Sequence, residues 1–595
     1  MRPWQFIIRL IKFSPGLFTL NLLAWTVFHT IPLATGLISR ELFDTLTGNA
    51  RLGFDLWTLL ALIAAVPLVR KAASFGAMMF YTVFMYTMET LLRRNMLGSV
   101  LGAPGADAMS EGSGEAVSRF RDDTHEVLMY IEECIDFAGR LLYISVAFVV
   151  LFRLQPSMTL VLFLPLPALI FLINMARRRI HEYRRASREA AGKVSDFVGE
   201  MFRTTLAIKA AGSEAPIIER FRAINEVRRK AALKDQFFNE LLRSVGWNIV
   251  HLGTGVVLLF AATRMRSGEF TVGDFALFVA YVTQATYPIF SIARLIAQHK
   301  RARVSFDRMV ELTPGSPPET LVAHGPVHLR GALPSVPVAA TADGDALSHL
   351  EVDGLTYHYA GTTHGVEDIT FALKRGSFTV ITGRIGSGKT TLVRAILGLL
   401  PKDSGEVRWN GVAVDDPGEF FTPPRSAYTP QVPRLFSESL RDNILMGIPE
   451  DPEQVDSAIR LSVMEDDLLE IEDGLNTVVG PRGVKLSGGQ IQRSSAARMF
   501  ARDVDLLVFD DLSSALDVET ESVLWERVFG ERAATYLVVS HRPSVLQRAD
   551  HIIVMNGGRI EAQGTFAELM SMSEEARYLL TGSEEADDSR EKDAT

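Results

Sequence analysis

Residues 383–390 read Gly-Arg-Ile-Gly-Ser-Gly-Lys-Thr and decide the fold of the second half of the chain. They occupy every fixed position of the pattern G-x-x-x-x-G-K-[ST]. An apolar, β-rich run at 378–381 precedes them, and a helix-compatible run at 391–400 follows. A strand, a glycine turn and a helix start in this order are the context in which the pattern marks a phosphate-binding loop. The alternative is a glycine-rich turn that matches by chance, and this context disfavours it.

The residue types of this loop suit a nucleoside triphosphate. Glycines let backbone N–H groups approach phosphate oxygens, and a helix N-terminus adds a favourable partial charge. We predict that Lys389 contacts the β- and γ-phosphates and that Thr390 binds Mg²⁺. The predicted nucleotide contacts of this stretch are Gly383, Arg384, Ile385, Gly386, Ser387, Gly388, Lys389, Thr390 and Thr391.

The composition excludes some classes of protein. A chain of 595 residues is too long for one ordinary domain. Its net charge of −9 is modest and no large basic patch is present, so we expect no nucleic-acid partner. The single cysteine, Cys134, cannot form a disulfide within the chain. Long hydrophobic runs are concentrated in the first half, whereas the second half has the composition of a soluble α/β domain.

Residues 1–312 have the pattern of a membrane domain. Residues 1–13 mix aromatic, aliphatic and basic side chains, which suits a helix lying on a membrane surface; the alternative, a signal peptide, lacks a convincing cleavage site. Six later runs are candidate spanning helices, and the third is the weakest because acidic and basic residues crowd its start. The runs are 17–39, 54–80, 134–153, 157–176, 244–263 and 271–296.

The distribution of basic residues predicts the orientation of these spans. Clusters at 93–94, 177–179 and 184–188 follow the second and fourth runs, so those connections are predicted to be cytoplasmic. Both connections are long, charged and helix-compatible, which indicates spanning helices that continue beyond the bilayer. Their tips, near 112–123 and 207–214, are predicted to dock on a soluble domain.

Three ionisable residues inside the predicted spans are candidate substrate contacts. Arg70 and Lys71 lie in the second run, and His251 lies in the fifth. A charge inside a membrane is a functional hypothesis by default. The alternatives are a shifted helix register or a water-filled cavity without specificity.

The second half divides into a linker, a domain and a tail. Residues 313–348 are rich in Pro, Gly, Ala and Ser and are predicted to be a linker. Residues 349–580 form the predicted nucleotide-binding domain. Residues 581–595 are acidic and lack aromatic side chains, so we predict disorder.

Several residues outside the glycine loop suit nucleotide chemistry. Tyr359 could stack on an adenine ring, although a surface-strand tyrosine is the simpler reading in isolation. Gln431, between two prolines, could complete a Mg²⁺ shell and sense the γ-phosphate. Asp510 ends an apolar run, as expected for a functional residue at the C-terminal edge of a buried parallel strand. Asp511 follows it, and His541 ends another apolar strand.

A second glycine motif has the composition of an anion site. It reads Leu486, Ser487, Gly488, Gly489 and Gln490, and an alanine-rich helical run follows it. The serine suits a helix N-cap, and the glycines let backbone N–H groups approach an anion.

Taken together, these residues resemble the ATP-binding cassette transporter family over nearly the whole chain. The resemblance is to an exporter-type half-transporter, in which a membrane domain is fused to a nucleotide-binding domain. Residues 383–390 resemble the Walker A loop, 486–490 the signature motif and 508–510 the Walker B strand. Gln431 resembles the Q-loop glutamine, His541 the switch histidine and Tyr359 the adenine-stacking aromatic. The stretch that resembles the D-loop is Ser514, Ala515, Leu516 and Asp517.

The resemblance implies a fold, cofactors and a dimer. The implied fold is multidomain, with an all-α six-helix transmembrane domain followed by an α/β P-loop nucleotide-binding domain. Each ATP would lie between the Walker A loop of one chain and the signature motif of the other. The implied metal-binding residues are Thr390, Gln431 and Asp510, and the implied catalytic residues are Asp511, His541 and Gln431. Residues 268–274 also resemble the family's entry to its sixth helix.

Two positions depart from the family pattern. Asp511 stands where the family usually has glutamate, the general base that polarises the attacking water. Such a change often marks the degenerate site of a heterodimer, so we favour a heterodimer. The alternative is a homodimer in which Asp511 is a slow base. The retained Gln431 and His541 support the homodimer. Pro481 stands where many exporters carry glutamate, which predicts altered communication with the membrane domain.

The predicted function is ATP-driven export of a small or amphipathic substrate by alternating access. An importer on the same fold and an ATP-gated channel or regulator are the alternatives. The predicted cofactors are ATP and Mg²⁺, and the predicted partners are a second half-transporter chain, membrane lipid and the transported molecule. We expect a multi-pass protein of a bacterial-type inner or plasma membrane, with the ATP-binding domain in the cytoplasm.

Overall fold

The computed structural model describes residues 3–103, 113–163, 165–285, 287–313, 315–334, 346–481, 483–512, 516–531 and 534–572. The chain forms two compact units. The first consists of residues 1–101 and 111–329, and the second is centred on residues 330–595.

Within the described residues the first unit is helical. Residues Arg119–Asp123 form a π-helical turn before α5, and Thr320–Val322 form a 3-10 turn after the last helix. The helices are α1 (Pro3–Phe13), α2 (Pro15–Leu46), α3 (Leu56–Gly102), α4 (Ser113–Ser118), α5 (Thr124–Leu154), α6 (Pro156–Phe163), α7 (Pro165–Arg203), α8 (Thr205–Ala210), α9 (Glu214–Arg266), α10 (Val272–Ala285) and α11 (Tyr287–Glu311).

The predicted hydrophobic runs lie on these helices. Among the described residues, three helices are long and apolar enough to cross a membrane: Pro15–Leu46, Leu56–Gly102 and Gly114–Leu154. They contain the first three predicted runs, including the third, whose charges made it the weakest. The other three runs fall on α6 and α7, on α9, and on α10 and α11. The long connections are also helical: α3 and α5 extend well beyond the apolar runs, and so do α7 and α9.

The charges near the start of the third run are paired with neighbouring helices. Asp136 on α5 lies 2.7 Å from His29 Nε2 on α2 and 2.8 Å from Arg140 one turn later. Glu133 lies 2.7 Å from Arg294 on α11. Ionisable groups inside a helix bundle are tolerated when they pair with one another. This pairing explains how an apolar span accommodates a charged first turn.

Gly273, in the stretch that resembles the entry to the sixth helix, lies at a close contact between α2 and α10. A Cβ atom at this position would lie 2.2 Å from the Arg40 carbonyl oxygen and 2.5 Å from Asp44 Oδ1. The Gly273 N–H donates to Asp44 Oδ1 at 3.2 Å, and Arg40 pairs with Asp274 at 2.6 Å. The helices therefore meet with backbone against backbone, and a side chain does not fit between them.

We expect Gly273→Ala to destabilise the first unit by about 1–3 kcal/mol, because the added methyl group overlaps a backbone carbonyl that cannot move alone. Thermal unfolding of the full chain in detergent measures the effect. Gly98→Ala on α3 is the matched control, since no heavy atom lies within 4 Å of its added Cβ. Equal melting temperatures for the two variants would contradict the tight α2–α10 contact.

Part of the predicted linker packs on the first unit. Leu321 and Val322 are buried against Phe6 and Leu10 of α1 and their neighbours. Asn95 Nδ2 on α3 donates to the Leu321 and Ala323 carbonyls at 3.0 and 2.9 Å. The first unit thus extends to residue 329, beyond the boundary drawn at 312.

Other sequence predictions fall only partly on described residues. The segments 104–112 and 335–345 and the tail 581–595 lie outside them. At the second predicted tip, α8 is followed by a turn and then by α9.

The second unit is an α/β domain. Its strands are β1 (His349–His358), β2 (Gly365–Lys374), β3 (Phe378–Gly383), β4 (Ser404–Trp409), β5 (Val412–Ala413), β6 (Ser426–Thr429), β7 (Leu506–Asp510), β8 (Thr535–Val539), β9 (His551–Asn556) and β10 (Arg559–Gly564). Its helices are α12 (Lys389–Ile396), α13 (Pro417–Phe420), α14 (Leu440–Leu445), α15 (Pro452–Leu461), α16 (Glu465–Glu470), α17 (Gly488–Phe500), α18 (Val518–Glu531), α19 (Pro543–Leu546) and α20 (Phe566–Met572).

Two sheets organise this domain. A smaller sheet has the order β2-β1-β4-β5 with antiparallel pairs, and a larger one has the order β10-β9-β3-β8-β7-β6. Strands β6, β7, β8, β3 and β9 run parallel, and every residue of β3, β7 and β8 is buried. Parallel strands carry their functional residues at the carboxyl edge. The larger sheet therefore brings the residues that follow β3, β6, β7 and β8 to the same edge.

Candidate active site

The glycine loop joins β3 to α12. Gly383, Gly386 and Gly388 have φ values of +146°, +83° and +100°, which side chains other than glycine rarely adopt. A Cβ atom at Gly383 would also lie 2.2 Å from the Met555 carbonyl oxygen. The spacing of the glycines in the motif is thus required by the turn that leads into the helix.

Lys389 lies across this loop. Its Nζ donates to the carbonyl oxygens of Gly383 and Arg384, at 2.8 and 2.9 Å. Burial lowers the pKa of Lys389, and the neighbouring Asp511 and Asp510 carboxylates oppose that shift. Within the described residues, the buried Ser387 Oγ has no hydrogen-bond partner. A partly desolvated ammonium and an unpaired buried hydroxyl are arranged as expected for a site that binds phosphate oxygens.

Asp510 ends β7 beside the first turn of α12. Its Oδ1 accepts a hydrogen bond from Thr390 Oγ1 at 3.0 Å, and its Oδ2 accepts one from Tyr428 at 3.2 Å. Asp510 is fully buried, and burial raises its pKa. A hydroxyl and a carboxylate beside a phosphate loop are the hard oxygen ligands that Mg²⁺ prefers, so these residues fit the cation. When bound, Mg²⁺ would supply positive charge against the phosphate oxygens.

Asp511 brings the other predicted catalytic residues together. Gln431 Nε2 donates to Asp511 Oδ2 at 3.3 Å, and His541 Nδ1 lies 4.0 Å from Asp511 Oδ1. The backbone of Asp511 has a φ of +54°, a left-handed conformation that aspartate adopts more readily than most residues. Residues that follow three different strands therefore meet at one edge of the sheet, next to the loop.

Tyr359 follows β1 and reaches the start of α12. Its hydroxyl lies 3.2 Å from Thr391 Oγ1, and its ring packs edge-on against Tyr357 with centroids 5.1 Å apart. The Tyr359 side chain stays exposed. The exposed ring beside α12 is consistent with the predicted stacking on a base. Arg384 and Ile385 are exposed on the loop as well.

The second glycine motif begins α17. Ser487 is the N-cap and accepts a hydrogen bond from the Gln490 N–H at 3.2 Å, while Gln490 Oε1 accepts one from the Ser487 N–H at 2.9 Å. This reciprocal capping box orders the first turn, and Leu486 anchors it in the core. Ser487 and Gly488 are solvent-exposed, as a site completed by another chain requires.

Asp467 holds this turn against α16. It accepts a hydrogen bond from Gln490 Nε2 at 3.2 Å and pairs in bidentate fashion with Arg493, which lies one turn into α17. Both partners of this ion pair are largely buried. Sequence reasoning missed Asp467, since it lies far from the motif in the chain and no local pattern marks it.

We expect Asp467→Ala to lower the free energy of unfolding of the second unit by about 3–5 kcal/mol, because Arg493 is left as an uncompensated buried charge. Urea unfolding of the full chain in detergent, followed by tryptophan fluorescence, measures the loss. Glu465→Ala on the same helix is the control; its pair with Arg527 is more exposed, and we expect a cost below about 1 kcal/mol. A similar loss for both variants would contradict the proposed anchoring.

The stretch that resembles the D-loop is described only in part. Ser514 and Ala515 lie outside the described residues. The Leu516 carbonyl accepts a hydrogen bond from Arg542 at 3.1 Å, so this loop is tied to the residue after His541. Asp517 caps α18: its carboxylate accepts bonds from the N–H and hydroxyl of Thr520, and these bonds lower its pKa.

The candidate substrate residues have different environments. The Arg70 guanidinium carbon lies 4.7 Å from the Phe28 ring centroid, and Arg70 Nε is buried with no hydrogen-bond partner among the described residues. Lys71 is exposed, and the side chain of His251 lies outside the described set. Arg70 therefore carries the stronger case for contact with a substrate, and all three assignments stay predictions.

Comparison with known protein families decides the identity of the chain. The family model "ABC transporter transmembrane region" matches residues 18–289, and the model "ABC transporter" matches residues 366–514. The chain belongs to the ABC transporter family. The predicted fold class, a helical membrane domain followed by an α/β nucleotide-binding domain, is confirmed.

Relatives of this ABC transporter cover most of its length. It is 29% identical over 81% of both chains to a probable multidrug resistance ABC transporter ATP-binding/permease protein, YheI, of Bacillus subtilis. It is 28% identical to an ATP-dependent lipid A-core flippase of Aromatoleum aromaticum, over 93% of this chain and 92% of that one. A bacterial Atm1-family ABC exporter solved with ATP bound has the same fold, with a TM-score of 0.70 and 19% identity over 94% of this chain and 98% of that one.

These findings establish the general activity of the ABC transporter. It is an ATP-dependent transporter of the exporter type, and its first unit spans a membrane. Its nucleotide-binding domain is expected on the cytoplasmic side. ABC exporters work as dimers, and the turn at the start of α17 that resembles the signature motif is exposed at Ser487 and Gly488.

Proposed function

We propose that this transporter exports an amphipathic small molecule or lipid by alternating access, as one half of a dimer. The observation that carries the proposal is the arrangement at the edge of the larger sheet. Lys389, Thr390 and Asp510 lie where a nucleotide and its cation would bind, and Asp511 lies beside Gln431 and His541. The same chain carries apolar helices long enough to cross a bilayer.

The relatives narrow the substrate class. One is a probable multidrug resistance transporter, and others are lipid A-core flippases. We infer that the substrate of this chain has an apolar part, which would contact the apolar helices of the first unit. Arg70 over Phe28 offers a charge beside an aromatic ring, which suits a substrate with an anionic group next to an apolar one.

The residues of the site have the following proposed tasks, and Gln431 has two of them. Lys389 and the loop N–H groups bind the phosphates, and Thr390 and Asp510 hold Mg²⁺, with Gln431 as a further ligand. Asp511 accepts the proton of the attacking water or orients that water, and Gln431 and His541 hold its carboxylate in place. The bound nucleotide favours the closed dimer because a ligand shared by two chains stabilises only the state in which they meet.

Whether the partner is a different chain or a second copy of this one determines how the ATP site of this chain is used. We propose a heterodimer, in which the signature motif at 486–490 completes the partner's ATP site while this chain's own site, with Asp511, turns over slowly. Affinity purification of the native complex from membranes, followed by mass spectrometry of its subunits, tests this. A single polypeptide in the purified complex would favour the homodimer.

Transport in sealed vesicles tests the function itself. The complex is reconstituted in liposomes, and the movement of a fluorescent phospholipid and of an amphipathic dye away from the nucleotide-binding side is followed with ATP·Mg²⁺. We expect directional movement with ATP and none with a non-hydrolysable analogue. Movement in the opposite direction would indicate an importer, and flux down a gradient without ATP turnover would indicate a channel.

A further inference from the structure

The strand next to β7 carries a tyrosine that neither the family motifs nor the proposed tasks use. Tyr428 lies on β6 and is paired in register with Val508, two residues before Asp510. Its hydroxyl lies 3.2 Å from Asp510 Oδ2. Burial raises the pKa of Tyr428 to about 12, so the phenol keeps its proton at neutral pH and acts as the donor in this bond.

This bond completes the surroundings of the Asp510 carboxylate. Thr390 Oγ1 donates to Oδ1 and Tyr428 donates to Oδ2, so each oxygen has a donor of its own. The Asp510 side chain is fully buried, and burying a carboxylate costs free energy unless hydrogen bonds satisfy it. With a donor on each side, the plane of the carboxyl group is fixed. If Thr390 were to turn from Asp510 to a bound cation, the Tyr428 bond would still hold the other oxygen.

We propose that Tyr428 is a positioning residue, whose hydroxyl orients Asp510 for the divalent cation that accompanies ATP. The inference rests on the proposed role of Asp510 in holding Mg²⁺. Residues that orient a metal ligand through a hydrogen bond commonly affect metal affinity by about 10–100-fold. Tyr428 therefore acts on cation binding and leaves the contacts of the loop with the nucleotide unchanged.

The test is Tyr428→Phe in the full reconstituted complex, which removes the hydroxyl and keeps the ring. Binding of a fluorescent ATP analogue is measured in EDTA and during titration with MgCl₂. We expect unchanged binding in EDTA and a rise of about tenfold in the Mg²⁺ concentration that gives the half-maximal response. The KM for Mg²⁺ in ATP hydrolysis should rise by the same factor, with a smaller change in kcat.

Two control variants distinguish failure of the proposed cation site from failure of the proposed positioning role. Tyr536→Phe removes another buried tyrosine hydroxyl of the same sheet, which donates to the Val528 carbonyl, and should leave the Mg²⁺ midpoint unchanged. Asp510→Asn should abolish the Mg²⁺ response. If the wild type and Asp510→Asn respond to Mg²⁺ alike, the proposed cation site is wrong. If Asp510→Asn loses the Mg²⁺ response but the Mg²⁺ midpoint of Tyr428→Phe stays within twofold of the wild type, the positioning role is overturned. The positioning role is also overturned if Tyr428→Phe loses binding of the ATP analogue in EDTA.

Discussion

We expect Lys389→Ala to abolish ATP binding at this chain's own site. The lysine ammonium lies across the glycine loop, bound to the Gly383 and Arg384 carbonyls, and these are contacts it can exchange for phosphate oxygens without moving far. Hydrogen bonds to charged groups are worth about 1.5–3 kcal/mol each, so the loss of two of them lowers affinity by at least about a hundredfold.

The measurement must distinguish the two chains of the dimer. Photo-crosslinking of the intact complex with radiolabelled 8-azido-ATP, followed by separation of the subunits by electrophoresis, reports labelling on each chain. Lys374→Ala is the control, because this exposed lysine at the end of β2 is outside the loop. Labelling of the Lys389→Ala chain within threefold of the wild type would show that the loop binds nucleotide without its lysine.

We expect Asp511→Glu to raise the rate of ATP hydrolysis at this site. The aspartate carboxylate is one methylene shorter than the glutamate that the family usually carries, and a misplacement of about 1 Å can cost about a hundredfold in rate. Gln431 Nε2 lies 3.3 Å from Asp511 Oδ2, and His541 Nδ1 lies 4.0 Å from Asp511 Oδ1. A longer side chain from the same backbone position would bring the carboxylate closer to both.

The gain is measured as ATPase activity of the reconstituted complex, with Asp511→Asn as the matched control. The asparagine variant keeps the size of the side chain and removes its charge, so we expect it to bind ATP normally and hydrolyse it more slowly than the wild type. An unchanged or lower rate for Asp511→Glu would indicate that the surroundings have adapted to the shorter residue. Equal rates for the wild type and Asp511→Asn would exclude Asp511 as the base.

Local patterns predicted the parts of the site that depend on neighbours in the chain. The glycines of the loop were recognised because the turn between β3 and α12 requires positive φ values, and such a requirement leaves a fixed spacing. Ser487 is the N-cap of α17, as its residue type suits, and the structure adds a capping box with Gln490. Asp510 was found because an apolar run that ends in a carboxylate is typical of a buried parallel strand.

Local patterns in the sequence could not predict contacts between segments that are distant in the chain. Tyr428 and Asp510 meet because β6 and β7 are neighbours in the sheet, although 82 positions separate them in sequence. Asp467 reaches Gln490 across 23 positions, and Asn95 binds Leu321 across 226. The last contact is why residues beyond 312 join the first unit even though their composition is that of a linker.

The sequence by itself therefore determined the class of the fold, the phosphate loop and the helices that are apolar enough to span a membrane. These features are set by the chain within a few residues, through backbone conformation, helix capping and hydrophobic periodicity. The order of the strands and the packing of the helices decided which side chains hold Asp510, which anchor the signature turn and how the charges of α5 are paired. Such contacts join residues far apart in the chain, and only the tertiary structure brings them within hydrogen-bonding distance.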